Sequence, residues 1–203
     1  NIHARDGEIG KASDFLFDDT TWALRYVVVD TGNFLTGRKV IVPPHAFGKP
    51  DWNNHTFPVD FTKQQVKDSP PVEATQDITR DYEENLFTYF RWQPYWGDRM
   101  STGAPTGSTV TGPTGAGTGI NLGNRGEMGG TFGSRHLKSV EEVRGYDVGA
   151  TDGTIGQIED FLVDDDRWHL RYAVIDTRKW LPGKKVMVPI PVIQAIREDD
   201  SIV

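Results

Sequence analysis

The sequence predicts an all-β protein: two small barrels in tandem, with short flanking helices, joined by a flexible tether. Three observations predict it. Residues 6–47 recur as residues 152–193 without a gap, and 22 of the 42 aligned positions are identical. Each copy is a series of short apolar runs broken by turn signals about every ten residues, the pattern of a small sandwich or barrel. Residues 97–135 hold 12 of the 22 glycines and seven threonines, a composition that offers too little apolar surface to offset the entropy of ordering. The expected organisation is a first module over 1–96, a tether over 97–135 and a second module over 136–203.

The shared skeleton of the two modules is D-G-x-I-G, D-F-L-x-D-D, W-x-L-R-Y-x-V-x-D-T and L-x-G-x-K-V-x-V-P. In the second module "GYDVGAT" is a strand, Asp152-Gly153 a hairpin turn of the favoured Asp-Gly type, and "IGQIEDFLV" the next strand. Asp164 to Asp166 turn the chain. "WHLRYAVID" is dense in β-branched and aromatic residues, and "KKVMVPI" is a strand stopped by proline. "LKSVEEVRG" and "PVIQAIRE" are short helix candidates.

Tyr26 to Val29 and Tyr172 to Ile175 are apolar on both alternating faces of their strands. One face fills the interior, and the other needs a helix, a sheet or a partner subunit over it. In the first module the cover is expected from residues 76–96, where Ile78, Tyr82, Leu86 and Tyr89 or Phe90 fall at helical spacing and Pro94 ends the helix. Seven of the chain's 22 aromatic residues lie between Tyr82 and Trp96. The second module starts with "HLKSVEEVRGYDV" where the first has only "NIHA", and the first continues through "HTFPVDFT" where the second ends; the chain is expected to be an excerpt of a longer one.

A net charge of −7 disfavours nucleic acid and anionic lipid as partners, since an acidic surface repels both. The absence of cysteine excludes disulfides and thiolate chemistry. No apolar run approaches the roughly 18 residues of a membrane span, which leaves peripheral membrane association open, and a cytoplasmic location is expected.

The reactive residue types fall into no catalytic pattern. Asp14, Asp18 and Asp19, with Asp160, Asp164, Asp165 and Asp166, lack the spacing of a calcium loop and read as turn formers. Arg25 and Arg171 lie an odd number of residues before Asp30 and Asp176, hence on the opposite strand face, and are expected to pair across strands or to a loop. The five histidines are scattered, and no nucleophile elbow, phosphate loop or dinucleotide fingerprint is present. No enzyme, cofactor or metal is expected. Two groups remain as a candidate interaction surface: Arg178, Lys179, Lys184 and Lys185 around Trp180, which could meet an RNA backbone or a lipid headgroup, and the aromatic set Tyr89, Phe90, Trp92, Tyr95 and Trp96.

Taken together and in this order, the four skeleton motifs resemble those of the PRC-barrel family, over residues 1 to about 68 and 136–203. "FPVDFTKQQVKDSPPVE" followed by "YFRWQPYW" is similar to an extension found in bacterial tandem proteins of that family. The resemblance implies a small, strongly bent barrel that serves assembly, as in the cytoplasmic part of the photosynthetic reaction centre H subunit, and it transfers no catalytic residues. The expected function is thus a non-catalytic protein-interaction module, self-associating as a homodimer or as a pseudo-symmetric pair of barrels and binding a further protein. The alternatives are an RNA- or ribosome-associated adaptor, like the barrel of a ribosome-maturation factor, and a small-ligand binder between the barrels.

Overall fold

The computed structural model describes residues 1–71, 78–96, 137–151, 153–177 and 184–196, with the backbone of 201–202. The expected tether, and the expected turn residue Asp152, lie outside them. The first sheet is built from β1 (Ile2–Ala4), β2 (Gly7–Asp18), β3 (Leu24–Asp30), β4 (Lys39–Val42) and β5 (Phe57–Pro58), followed by helices α1 (Lys63–Asp68) and α2 (Arg80–Phe90). Then come β6 (Leu137–Ser139) and the single turn α3 (Val140–Val143), and a second sheet of β7 (Asp147–Ala150), β8 (Gly153–Asp164), β9 (His169–Asp176), β10 (Lys185–Pro189) and β11 (Ser201–Ile202).

Along their main paths the two sheets run β4-β3-β2-β1-β5 and β10-β9-β8-β7-β11, the same order in both, with β6 added to the first as a sixth strand against β2, and each long hairpin is antiparallel. The register agrees in detail. Lys11 faces Asp30 as Gln157 faces Asp176, and the ladder slips between Ala12 and Asp14 and again between Leu16 and Phe17, just as it does at Ile158/Asp160 and Leu162/Val163. Two bulges bend each long strand sharply at equivalent points.

The D-G-x-I-G motif has a steric cause. Gly10 and Gly156 sit at φ +152° and +158°, and a Cβ there would stand 2.1 Å from the Asp30 carbonyl oxygen and 2.3 Å from that of Asp176. Only glycine lets the bent strands approach so closely.

The sequence predicts barrels; neither sheet closes into one. β4 and β5 lie at opposite edges of the first sheet, as do β10 and β11 of the second, without pairing to each other. In the first half the interior is sealed by side chains instead. Val59, Phe61 and Val66 pack with Ile9, Val27 and Val42, and α1 is held by a full capping box between Thr62 and Gln65.

A second correction concerns the helix expected over 191–198. Ile190–Val192 form only a 3-10 turn with Pro191 inside it, residues 193–195 are irregular, and 197–198 lie outside the described residues. "LKSVEEVRG" divides into a strand and one helical turn, because Ser139 accepts the Glu142 amide and so starts the helix there.

Candidate functional site

The shared Asp18/Asp164, Arg25/Arg171 and Thr31/Thr177 pairs are engaged in architecture. Asp18 accepts the amides of Thr20 and Thr21 at 3.0 and 2.9 Å and pairs with Arg25 at 3.1 Å. Asp164 accepts those of Asp166 and Arg167 at 3.1 and 3.2 Å and pairs with Arg171 at 2.7 Å. Each Arg therefore reaches a turn across the hairpin, as its strand face requires. Burial works against the charge of Asp18, but the Thr21 amide and Arg25 hold its carboxyl below the ordinary value, and for Asp164 the Arg171 guanidinium is the main cause of the same effect. Thr31 and Thr177, both buried, each give their hydroxyl to a loop carbonyl, Arg38 at 2.6 Å and Lys184 at 2.8 Å.

The W-x-L part of the motif does something else: it joins the halves. Trp22 and Trp168 both adopt left-handed backbone, φ 59° and 53°. Leu24 donates its amide to the Trp168 carbonyl at 2.8 Å, Leu170 donates to that of Trp22 at 3.0 Å, and Ala23 bridges His169 between them. These bonds are reciprocal under the 146-residue shift, so the two halves meet about an approximate two-fold axis. Phe17 and Leu24 of the first half consequently belong to the same apolar core as Phe161, Leu170 and Ile175 of the second.

Beside this seam lies a cleft of about 420 Å³, lined among others by Arg25, Pro44, His45, Phe47, Tyr95 and Trp168. Burial pushes His45 below its ordinary value. On the outer face of the first sheet, α2 covers Tyr26, Val28 and Ile41 with Leu86 and Phe87. It also buries Glu83 completely. The Tyr26 and Tyr95 hydroxyls donate to Glu83 Oε1 at 2.5 and 2.8 Å, and Arg80 stands 3.2 Å from Oε2 as an ion pair without hydrogen-bond alignment. Burial raises the Glu83 carboxyl and, with the adjacent carboxylate, the Tyr26 phenol.

The outer face of the second sheet has corresponding apolar residues and no such cover among the described residues. Leu162, Tyr172 and Met187, which correspond to Leu16, Tyr26 and Ile41, are 44%, 42% and 60% exposed, whereas Tyr26 is 0% and Ile41 3% exposed. Large apolar side chains grouped on one exposed sheet face make it a candidate interaction surface.

The aromatic candidates come together as the cover of the first sheet. Phe90 and Trp92 stack at 4.2 Å between centroids and lean on Phe61, Trp96 packs on Phe87 and under the Arg80 guanidinium, and Tyr95 serves Glu83. All four are half-buried; Tyr89 is exposed and donates its hydroxyl to the Gln65 carbonyl at 3.0 Å. Of the basic group, Arg178, Lys179 and Trp180 lie outside the described residues. Lys184 and Lys185 are exposed on the second half, apart from the aromatic set, with Lys185 2.6 Å from Glu159.

Among the described residues no group of three or more carboxylate or imidazole side chains is placed to hold a metal ion, and no helix is long and apolar enough to cross a membrane. The exposed outer face of the second sheet was not singled out from sequence as a candidate. Its signal was there, in the two-faced apolar strand Tyr172 to Ile175.

No curated protein matches the chain. Residues 136–203 match the family model for the PRC-barrel domain. The match assigns residues 136–203 to the PRC-barrel domain family.

Proposed function

We propose that this protein is a non-catalytic assembly module, a tandem of PRC-type units, in which the outer face of the second sheet docks a second copy of the chain. The exposure of Leu162, Tyr172 and Met187, set against the burial of Tyr26 and Ile41 at the same places in the first half, carries the proposal. In the first half, covering that face removes each such side chain from water, which is worth about 1.5–3 kcal/mol per fully buried residue. The same gain is open to the second half on association. The PRC-barrel match supports an assembly role like that of the cytoplasmic barrel of the reaction centre H subunit, and the residues shared by both repeats supply turns, ion pairs and the seam rather than a reactive group.

Light scattering after size exclusion tests this. The protein is expected to be dimeric at high concentration and to become monomeric in the double variant Tyr172→Asp, Met187→Asp, with its circular dichroism unchanged. A wild-type protein that stays monomeric at every concentration overturns the proposal.

A further inference from the structure

The 146-residue shift that equates the two halves also sets apart what belongs to one side of the seam. The cleft of about 420 Å³ lies on that side, between the turn before β9, loop 43–47 and the run after α2. Asp166, Arg167 and His169 line it from the second half and His45 from the first. On the other side of the approximate two-fold axis the same positions hold Thr20, Thr21, Ala23 and Pro191. The seam forms with either set, since Leu24 reaches the Trp168 carbonyl as Leu170 reaches that of Trp22. Four ionisable side chains that the seam does not require are thus gathered at one cleft.

The walls of the cleft are aromatic and held in place. Phe47 and Trp168 stack with 5.7 Å between ring centroids. Tyr95 is fixed by its hydrogen bond to Glu83 at 2.8 Å and by the Arg25 guanidinium, 4.1 Å from its ring centre. Arg25 is itself tied to Asp18 and Thr21, so its charge is already matched. The polar groups of the turn differ. Arg167 is exposed, and among the described residues its guanidinium has no ion-pair or hydrogen-bond partner. His169 Nδ1 stands 2.7 Å from the Arg167 carbonyl oxygen. A carbonyl only accepts, so this nitrogen carries the proton and Nε2 of the neutral ring is left as an acceptor. The Asp166 carboxylate is a second acceptor. The cleft therefore offers flat apolar walls, one permanent positive charge and two acceptors.

We infer that this cleft binds a planar aromatic carboxylate bearing a ring hydroxyl, with the ring against Trp168, Phe47 and Tyr95, the carboxylate on Arg167 and the hydroxyl donating to His169 Nε2. Its volume lies within the span of small-molecule sites, about 300–1,000 Å³, and apolar walls with a few convergent polar groups are the usual make-up of such sites. The Arg167 guanidinium selects an anionic end, because a hydrogen bond between two charged groups is about twice as strong as one between neutral groups. Aromatic walls select a flat ring. The two acceptors beside Arg167 select a donor, which the hydroxyl supplies. The site is separate from the outer face of the second sheet, so it goes beyond the docking role proposed above.

The probe is para-coumarate, titrated into the whole protein at neutral pH by isothermal calorimetry, with amide shifts followed by NMR. The expected result is saturable binding of one molecule per chain, with shifts at residues 45–47 and 166–169. Cinnamate, which lacks the hydroxyl, should bind about threefold or more weakly, as loss of one neutral hydrogen bond does. Arg167→Ala, at an exposed position, should weaken para-coumarate by about fivefold or more, as loss of a charged partner does. His169→Ala puts alanine where the other half has Ala23, so the fold is kept, and it should abolish the preference for para-coumarate over cinnamate. The Tyr172→Asp, Met187→Asp protein should bind normally, so failure of the proposed dimer and failure of this site are separable. No saturable binding, equal affinity for cinnamate, an affinity unchanged by Arg167→Ala, or shifts confined to Leu162, Tyr172 and Met187, which would place the ring on the exposed sheet, overturns the inference.

Discussion

Two sheets with one wiring differ in what covers them. The first presents Leu16, Tyr26, Val28 and Ile41 to α2 and to the aromatic run that follows it; the second presents Leu162, Tyr172, Val174 and Met187 outward. The bulges, the hairpin registers, the Arg–Asp turns and the Thr–carbonyl bonds are the same in both. Backbone geometry in this protein is therefore set by the shared motifs, and it does not depend on the layer packed outside them. Among the described residues, that outer layer is where the two halves differ.

The largest effect should come from what the halves share. Gly10→Ala and Gly156→Ala each drive a methyl group into a strand carbonyl, and each should cost about 3 kcal/mol or more, enough to unfold a marginal domain. Urea denaturation should find the two comparably damaging; a benign Gly156→Ala would break the equivalence.

The contrast in cover comes next. Phe87→Ala empties a buried site and should lose about 3–5 kcal/mol, whereas Met187→Ala, on the exposed counterpart face, should change monomer stability by less than about 0.5 kcal/mol. Thermal unfolding of dilute protein compares them, and a large loss for Met187→Ala would show that its face is already covered.

The buried carboxyl under α2 sharpens the comparison through pH. Because burial raises the Glu83 pKa above its unfolded value, its contribution is present in full below the unfolded value and is lost as pH rises through the folded one. Glu83→Gln should thus flatten the stability profile between the unfolded and the folded value, and an unchanged profile would contradict the assignment.

The smallest effect belongs to the turn carboxylates. Asp18 and Asp164 have folded values below the unfolded one, so their contributions are present above the unfolded value and fade as pH falls through the folded value. Asp18→Asn should reduce stability at neutral pH and converge with wild type in acid. Asp164→Asn should do so more weakly, because its side chain and that of Arg171 are more exposed to solvent than the Asp18–Arg25 pair.

Much of this was legible in the sequence because it rests on local chemistry. The repeat, the long hairpins and the turn aspartates were readable from residue type and spacing, and the α2 stripe at Tyr82 and Leu86 marked its own helix. The open sheets were not legible, since strand patterning states which face is buried and says nothing about whether two distant edges meet. Nor was the destination of Leu137–Ser139. Three residues with a serine at the end carry no mark of the distant strand they join, Leu16–Asp18, and only Asp14 at the bulge explains the choice. The helix expected after Pro191 failed because a short apolar-polar run resembles a helix turn until tertiary packing claims it for the core, as it does Ile190 and Ile193.

Hydroxyl-radical footprinting across protein concentrations tests the central claim most directly, by reading side-chain oxidation at equivalent places in the two sheets. The account predicts slow oxidation of Tyr26 at all concentrations, and rapid oxidation of Tyr172 and Met187 in dilute protein that falls as the concentration rises. Equal rates at Tyr26 and Tyr172, or rates at Tyr172 and Met187 that ignore concentration, would contradict it.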